Sequence, residues 1–192
     1  MPSERAFPVA CVIIGAGAGT RFGQPKAGAT LSDGRRFVDA VAGTARDAGL
    51  FPIVAVLPAD VDPPAGAIAV VNRDAKGEQV VSLRLGLAQL ANQAIVGAIS
   101  WPVDHPFVQL ESVLAVLDAA RRTGAPIVVP EMDDRRGHPV FFHRDTWREL
   151  LTVAEGGARA VVRAYGPRVA SVSVRDRGVL RDIDTPADLG LE

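Results

Sequence analysis

The sequence predicts an α/β fold with three layers, a mixed and mostly parallel sheet carrying helices on both faces. Three observations predict it. Short unbroken apolar runs alternate with amphipathic stretches. Through residue 131 the order reads β-α-β-β-α-β-α-β. The first apolar run ends in a glycine-rich turn. Unbroken apolar strands are buried on both sides, which is the mark of parallel sheets flanked by helices.

The elements follow in order. "FPVACVIIG" is a short apolar run with β-branched residues ending at glycine, hence a buried strand. "RFVDAVAGTARDAG" places Phe37, Val38, Val41 and Ala45 at helical spacing and closes at Gly49. "FPIVAVLP" is a second buried strand and "AIAVVN" a third. "GEQVVSLRLGLAQLAN" spaces Val80, Leu83, Leu87 and Leu90 as a helix does, and "AIVGAIS" is the fourth strand. "LESVLAVLDAARRTG" ends in two arginines and Gly124, a helix C-terminus. "APIVVPEM" is the fifth strand and "HPVFF" a short one. "RDTWRELL" and "GARAVVRAYG" are helices, and "VASVSV" is a strand. "LRDIDTPADLGL" reads as a strand running into a helix at Thr185-Pro186. With no repeat, linker or low-complexity segment, residues 1–192 are expected to form a single domain.

Composition bounds the function. Of the 192 residues, 48% are apolar and 22% charged, an ordinary globular balance. Twenty-one basic against 22 acidic residues leave a net charge of −1, which gives no support for a nucleic-acid partner. The only cysteine, Cys11, sits in an apolar run and reads as a buried, inert thiol. No secretory signal and no membrane-length apolar run are visible, so a soluble cytoplasmic protein without a membrane partner is expected.

The stretch "GAGAGTRFGQPK", residues 15–26, has the look of a phosphate loop. It fails the dinucleotide fingerprint G-x-G-x-x-G, whose third position falls on Thr20 or Phe22. No Gly-Lys pair makes a P-loop. What remains is Gly15, Ala16, Gly17, Gly19 and Thr20 followed by Arg21 and Lys26. Glycines let backbone N–H groups approach a phosphate, Arg21 can grip it with two hydrogen bonds, and Lys26 adds a point charge. The competing reading is a tight strand-to-helix turn with two solvated cations.

Acidic residues supply the next signal. Asp104, in "WPVDHPFV", follows the fourth strand, at the end where open α/β sheets bind ligands. Asp182 and Asp184 alternate by two along the expected last strand and so share a face. Carboxylates converging beside a cationic loop would hold Mg²⁺, a hard ion that prefers oxygen. The alternatives are a turn role for Asp104 and an N-cap role for Asp184 or Thr185, with Pro186 at the first helical position.

Several stretches together resemble one family. "IGAGAGTRFGQPK" is similar to the L-A-A-G-x-G-x-R-[ML]-G-x-x-K signature of nucleotidyltransferases of the molybdenum cofactor cytidylyltransferase and molybdopterin guanylyltransferase type. "NRDAKGEQVVSLRLGL" resembles that family's Asn…Ser-Leu-Arg-x-Gly-Leu segment, "PVDHP" its Gly-Asp-Met-Pro, and "RRGHPVFF" the Gly-His-Pro-Val of the cytidylyltransferase branch. "GGARAVVRAY" and "LRDIDTPADL" close the chain as that branch does. The sequence departs at Gly15, at Glu78 (after Gly77), and at Val103 and His105 around the Asp.

The resemblance implies a Rossmann-like sheet of the nucleotide-diphospho-sugar transferase type. It implies transfer of a nucleotidyl group, CMP by the branch, from a nucleoside triphosphate to a phosphate-bearing acceptor such as molybdopterin cofactor, with Mg²⁺ or Mn²⁺ and release of pyrophosphate. A molybdoenzyme that receives the cofactor is an implied partner. Arg21, Lys26 and Asp104 take the catalytic positions. Gly15, Ala16, Gly17, Gly19, Thr20, Arg21 and Lys26 hold phosphates, and Asn72, Ser82 and Arg84 lie where the family contacts base and ribose. Asp104 and Asp184 are the metal positions, with Asp182 as substitute. His138, and Glu155 with "GGAR", face the acceptor, and His105 and His143 are expected at the surface. For Arg84 a solvated helix face competes, and for His138 a turn role. The rivals are a Rossmann oxidoreductase, a sugar-1-phosphate nucleotidyltransferase, and a non-catalytic nucleotide-binding accessory protein.

Overall fold

The protein is described by a computed structural model over residues 7–17, 22–73 and 79–190. Its strands are β1 (Val9–Ile14), β2 (Ile53–Leu57), β3 (Ile68–Val71), β4 (Gly97–Pro102), β5 (Ile127–Met132), β6 (Arg135–Arg136), β7 (Val140–His143) and β8 (Val169–Ser173). Its α-helices are α1 (Phe37–Asp47), α2 (Gln79–Gln89), α3 (Leu110–Thr123), α4 (Trp147–Thr152) and α5 (Gly157–Tyr165). The eight strands form one sheet in the order β3-β2-β1-β4-β7-β5-β6, with β8 pairing β5 in parallel. β1 is parallel to both β2 and β4, whereas β7 runs antiparallel to β4 and β5. A mixed, mostly parallel sheet with helices on both faces is therefore the observed class.

Alternation along the strands sorts the core into two layers. Cys11 and Ile13 of β1, with Ile53 and Ala55 of β2, pack under α1 and α3. Ala10, Val12 and Ile14, with Val54 and Val56, pack under α2, α4 and α5. Because both faces are covered, every residue of β1, β2 and β4 is buried. Burial also pushes the Cys11 thiol far above its ordinary range. α3 ends at Gly124 in the left-handed conformation, its N–H returning to the Ala120 carbonyl.

The topology creates the site. The chain steps from β1 outward to β2 and β3, then returns to place β4 on the other side of β1. Ligands bind outside the carboxyl ends of strands at such a reversal. The exits of β1 and β4 are locked together there, with Ile14 opposite Pro102 and the Val103 N–H donating to the Ile14 carbonyl at 2.9 Å. Gly15 follows at once. A Cβ at Gly15 would lie 2.8 Å from Leu57 Cδ2 and 3.1 Å from the Ala27 Cβ, so the turn packs too closely for a side chain.

Two expectations are corrected, and one element is new. β3 is not a buried strand but the sheet's edge, with Ile68 and Val71 exposed. Residues 180–185 form no strand; the chain passes through a 3₁₀ turn at Arg177–Val179 and ends in another at Pro186–Gly190. The "DID" alternation reflects one buried residue, Ile183, whose N–H donates to the Asp104 carbonyl rather than to a neighbouring strand. β6 was not visible in the sequence. It is two residues long and follows Asp133 and Asp134, which both take positive φ.

Candidate functional site

Lys26 opens a short 3₁₀ turn whose Ala27 is fully buried, and this anchors the lysine's backbone beside the β1 exit. Its Nζ donates to Asp184 Oδ1 at 2.5 Å and to Asp104 Oδ2 at 3.4 Å. One ammonium thus reaches two carboxylates that lie far apart in the chain. The Asp104 backbone explains how they meet, since its carbonyl accepts the Ile183 N–H at 2.8 Å and ties the end of β4 to the C-terminal segment. Asp188 completes the arrangement. Its Oδ2 accepts from the Asp184 N–H, the Thr185 N–H and the Thr185 hydroxyl. Those bonds hold the Asp188 carboxyl below the usual carboxylate range. Asp188 is thus the cap, the role expected of Asp184 or Thr185, and the Asp184 carboxylate faces Lys26. Asp182 is exposed.

Asp104 is mostly buried, and its Oδ1 has no hydrogen-bond partner. A buried carboxylate oxygen left unpaired is costly, and it is the mark of a ligand position. Beside it, His105 Nε2 stands 4.0 Å from that oxygen, and His105 Nδ1 stands 3.3 Å from the Gly178 carbonyl. His105 is buried, against the expectation of a surface residue, because its ring packs on that of His138 with centroids 4.9 Å apart. His143 is half-buried and accepts from the Asp145 N–H as a cap.

In the glycine loop, Ala16 is buried and Gly17 is exposed, with open space where a Cβ would lie. Gly19, Thr20 and Arg21 lie outside the described residues, as do Gly77 and Glu78. Asn72 and Ser82, paired by the resemblance, are brought together. Both are buried, the Asn72 Nδ2 donates to Ser82 Oγ at 3.0 Å, and the Asn72 N–H donates to the end of β2.

Arg84 is not brought to this cluster, nor is it a solvated helix face. Its guanidinium donates to the carbonyls of Leu150 and Val153, tying α2 to the end of α4. Nothing local marks this role, because those acceptors are backbone groups on a distant helix.

The α2 side also leaves a cavity of about 490 Å³ between α2, β5, β7 and α5, starting at the last residues of β1 and β4. His138 lines it. Gly137 brings that residue in, since its own Cβ would lie 2.2 Å from the Val179 carbonyl oxygen. The His138 N–H also donates to Val179. Burial first, then His105 and Arg159, push the His138 imidazole down to about 3, so it is neutral at pH 7. Its Nδ1 is cut off from solvent without a partner. Arg136, Arg159 and Arg163 line the same cavity; Arg159 belongs to the "GGAR" stretch expected at the acceptor, whereas no role was expected of Arg136 or Arg163.

Among the described residues no group of three His, Cys, Asp or Glu side chains is arranged to hold a metal alone, and no helix is long and apolar enough to cross a membrane.

A doubly covered sheet whose reversal point faces a lysine and two carboxylates is an α/β fold with a candidate site for phosphate and a cation. The chain belongs to the MobA-like NTP transferase domain family, whose model matches residues 11–169. No curated protein matches the sequence. Among solved structures it is similar to Rv0371c from Mycobacterium tuberculosis, at 25% identity over 96% of each chain with a TM-score of 0.82. A manganese complex of Rv0371c matches at 23% identity over 88% of this chain and 89% of that one, with a TM-score of 0.72. The fold is shared by 2-C-methyl-D-erythritol 4-phosphate cytidylyltransferase from Thermus thermophilus, at 22% identity, 96% of each chain and a TM-score of 0.69. Molybdopterin-guanine dinucleotide biosynthesis protein A from Archaeoglobus fulgidus shares it too, at 17% identity, 94% of each chain and a TM-score of 0.67.

Proposed function

We propose that this nucleotidyltransferase moves CMP from CTP to a phosphate-bearing acceptor of the molybdopterin cofactor type, with a divalent cation at Asp104 and Asp184. The observation that carries the reading is the single ammonium bridging those two carboxylates, with the Asp104 Oδ1 left unpaired. Two converging carboxylates with an unsatisfied oxygen suit a hard cation, and Lys26 stands where positive charge is wanted. The donor set fits Mg²⁺ and Mn²⁺ alike. The manganese in the Rv0371c complex supports the choice of a divalent ion.

When bound, the cation supplies charge neutralisation on phosphate oxygens. In the transfer, an acceptor phosphate oxygen forms a bond to the α-phosphorus, the bridging α–β oxygen bond breaks, and pyrophosphate carries away the electron pair. The nucleophile is already anionic, so the chain's task is alignment and charge stabilisation. Asp104 and Asp184 would hold the cation, and Lys26 beside them would stabilise charge on the α-phosphate and the leaving pyrophosphate. Arg21 and the backbone from Gly15 to Thr20 hold the β and γ phosphates. Asn72 and Ser82 hold base or ribose, and His138 meets the acceptor as a neutral imidazole. Ala16 and the "GHPV" stretch favour CTP over GTP.

The test is pyrophosphate release with molybdopterin cofactor and each of four nucleoside triphosphates, with and without Mg²⁺ or Mn²⁺. CTP with metal should give the fastest release, and Arg21→Ala should weaken triphosphate binding about tenfold or more. Equal or faster release with GTP would remove the base assignment. No release with any pair would favour an accessory, non-catalytic role.

A further inference from the structure

The cavity beside the reaction centre has a charge pattern that nucleotidyl transfer does not explain. Its floor is apolar, built from Leu83, Val129, Val140 and Phe142. Its far wall carries Arg136, Arg159 and Arg163, and no acidic residue is among the described residues lining it. Arg159 and Arg163 are four residues apart on α5, so they share a helix face and repel one another. Arg159 also lies in the first turn of α5, which has no acidic residue and no side-chain cap. A cation there opposes the positive end of the helix dipole. Arg159 further sits close enough to His138 to help keep that ring uncharged. Among the described residues, Arg136 alone of the three has neighbours that moderate it, Ser171 Oγ at 3.2 Å and Glu131 at 3.9 Å. The three arginines are exposed at the rim of one apolar cavity that no described acidic residue lines, and such a convergence of cations points to an anionic ligand.

The geometry points to a second phosphate site: the cavity takes an acceptor whose flat or apolar body lies on the floor and whose second phosphate, distinct from the one that reacts, is held by Arg159 and Arg163 with Arg136. A phosphate at the start of α5 satisfies the uncapped N–H groups and the two arginines together. Lys26, Asp104 and Asp184 do not line the cavity, which begins at Ile14 and Pro102 beside them. An acceptor with phosphates at both ends would thus reach from the arginine wall to the reaction centre. The inference rests on the nucleotidyl-transfer reading above but not on its molybdopterin-type acceptor, which carries a single phosphate; it makes the acceptor a class with two acidic ends.

The test uses 1-naphthyl phosphate and 1-naphthol as probes, titrated calorimetrically into the protein saturated with CTP and Mn²⁺ so that the nucleotide phosphate positions are filled. The phosphate should bind at least tenfold more tightly than the alcohol. In Arg159→Gln/Arg163→Gln that preference should vanish while CTP and Mn²⁺ still bind, and the ligand-free variant should melt no lower than wild type, because repulsion has been removed. Absence of naphthyl phosphate binding, or a preference unchanged in the double variant, would overturn the second site. Failure of CTP and Mn²⁺ to bind at all would instead strike the transfer reading, and the naphthyl titration without nucleotide would still judge the cavity.

Discussion

Two buried carboxylates in this molecule are treated in opposite ways. Asp176 is 3% exposed, and both its oxygens are used. They accept from the Gln109 N–H at 2.9 Å, the Ser112 hydroxyl at 2.7 Å and the Gly178 N–H at 2.8 Å. It closes the start of α3 and fixes the turn that carries Gly178. The Asp104 side chain is 17% exposed, yet its buried Oδ1 is unpaired and the other oxygen has only a 3.4 Å contact with Lys26. The first carboxylate is finished by the fold, whereas the second awaits something outside it. The difference teaches where to look for function, because folding alone does not favour an orphaned acceptor.

The comparison can be broken by substitution, and the largest effect should fall on transfer. Asp104→Asn should lower nucleotidyl transfer by about a hundredfold or more, since cation stabilisation is worth several kcal/mol. Its melting temperature should stay near that of wild type or rise. A large loss of stability would make Asp104 a structural residue like Asp176. Asp176→Ala should do the reverse. It strands three donors and should cost about 3 kcal/mol of stability by denaturant unfolding, with the cation site intact in the folded fraction. A midpoint unchanged from wild type would remove the contrast. Asp184→Asn should be milder, about tenfold in transfer, because an amide oxygen still ligates and Asp184 is more exposed than Asp104.

The smallest effect concerns the other orphaned group, His138 Nδ1. The imidazole's folded value of about 3 lies below its unfolded value of about 6.5, so the unfolded chain binds the extra proton between them. Its contribution to stability is complete above pH ~6.5 and is lost as pH falls toward 3. His138→Gln should flatten that limb of the stability curve measured by urea unfolding. A curve of unchanged slope would show that the ring is not held neutral.

Much of this was legible in the sequence, for reasons that differ by residue. β1, β2 and β4 were readable because both their faces are buried, which writes an unbroken apolar run. Asp104 was readable because it follows such a run directly. Asn72 and Ser82 were legible only through a resemblance, since nothing local marks a contact across ten residues of loop and helix. Other features were hidden by the physics that makes them. Asp182 and Asp184 imitate a strand because Ile183 is buried by tertiary contact. Arg84 is an ordinary helix cation until α4 presents its carbonyls. The arginine wall exists only after folding brings β6 and α5 to one cavity, and β6 itself rests on an Asp-Asp turn that lacks the usual glycine.

The most direct test of the central claim is water-proton relaxation enhancement of Mn²⁺–CTP titrated with wild-type protein and with Asp104→Asn. Wild type should give a strong enhancement and Asp104→Asn at least a tenfold weaker affinity, because the orphaned carboxylate oxygen is the position proposed for the cation. Equal enhancement and equal affinity in the two proteins would contradict it.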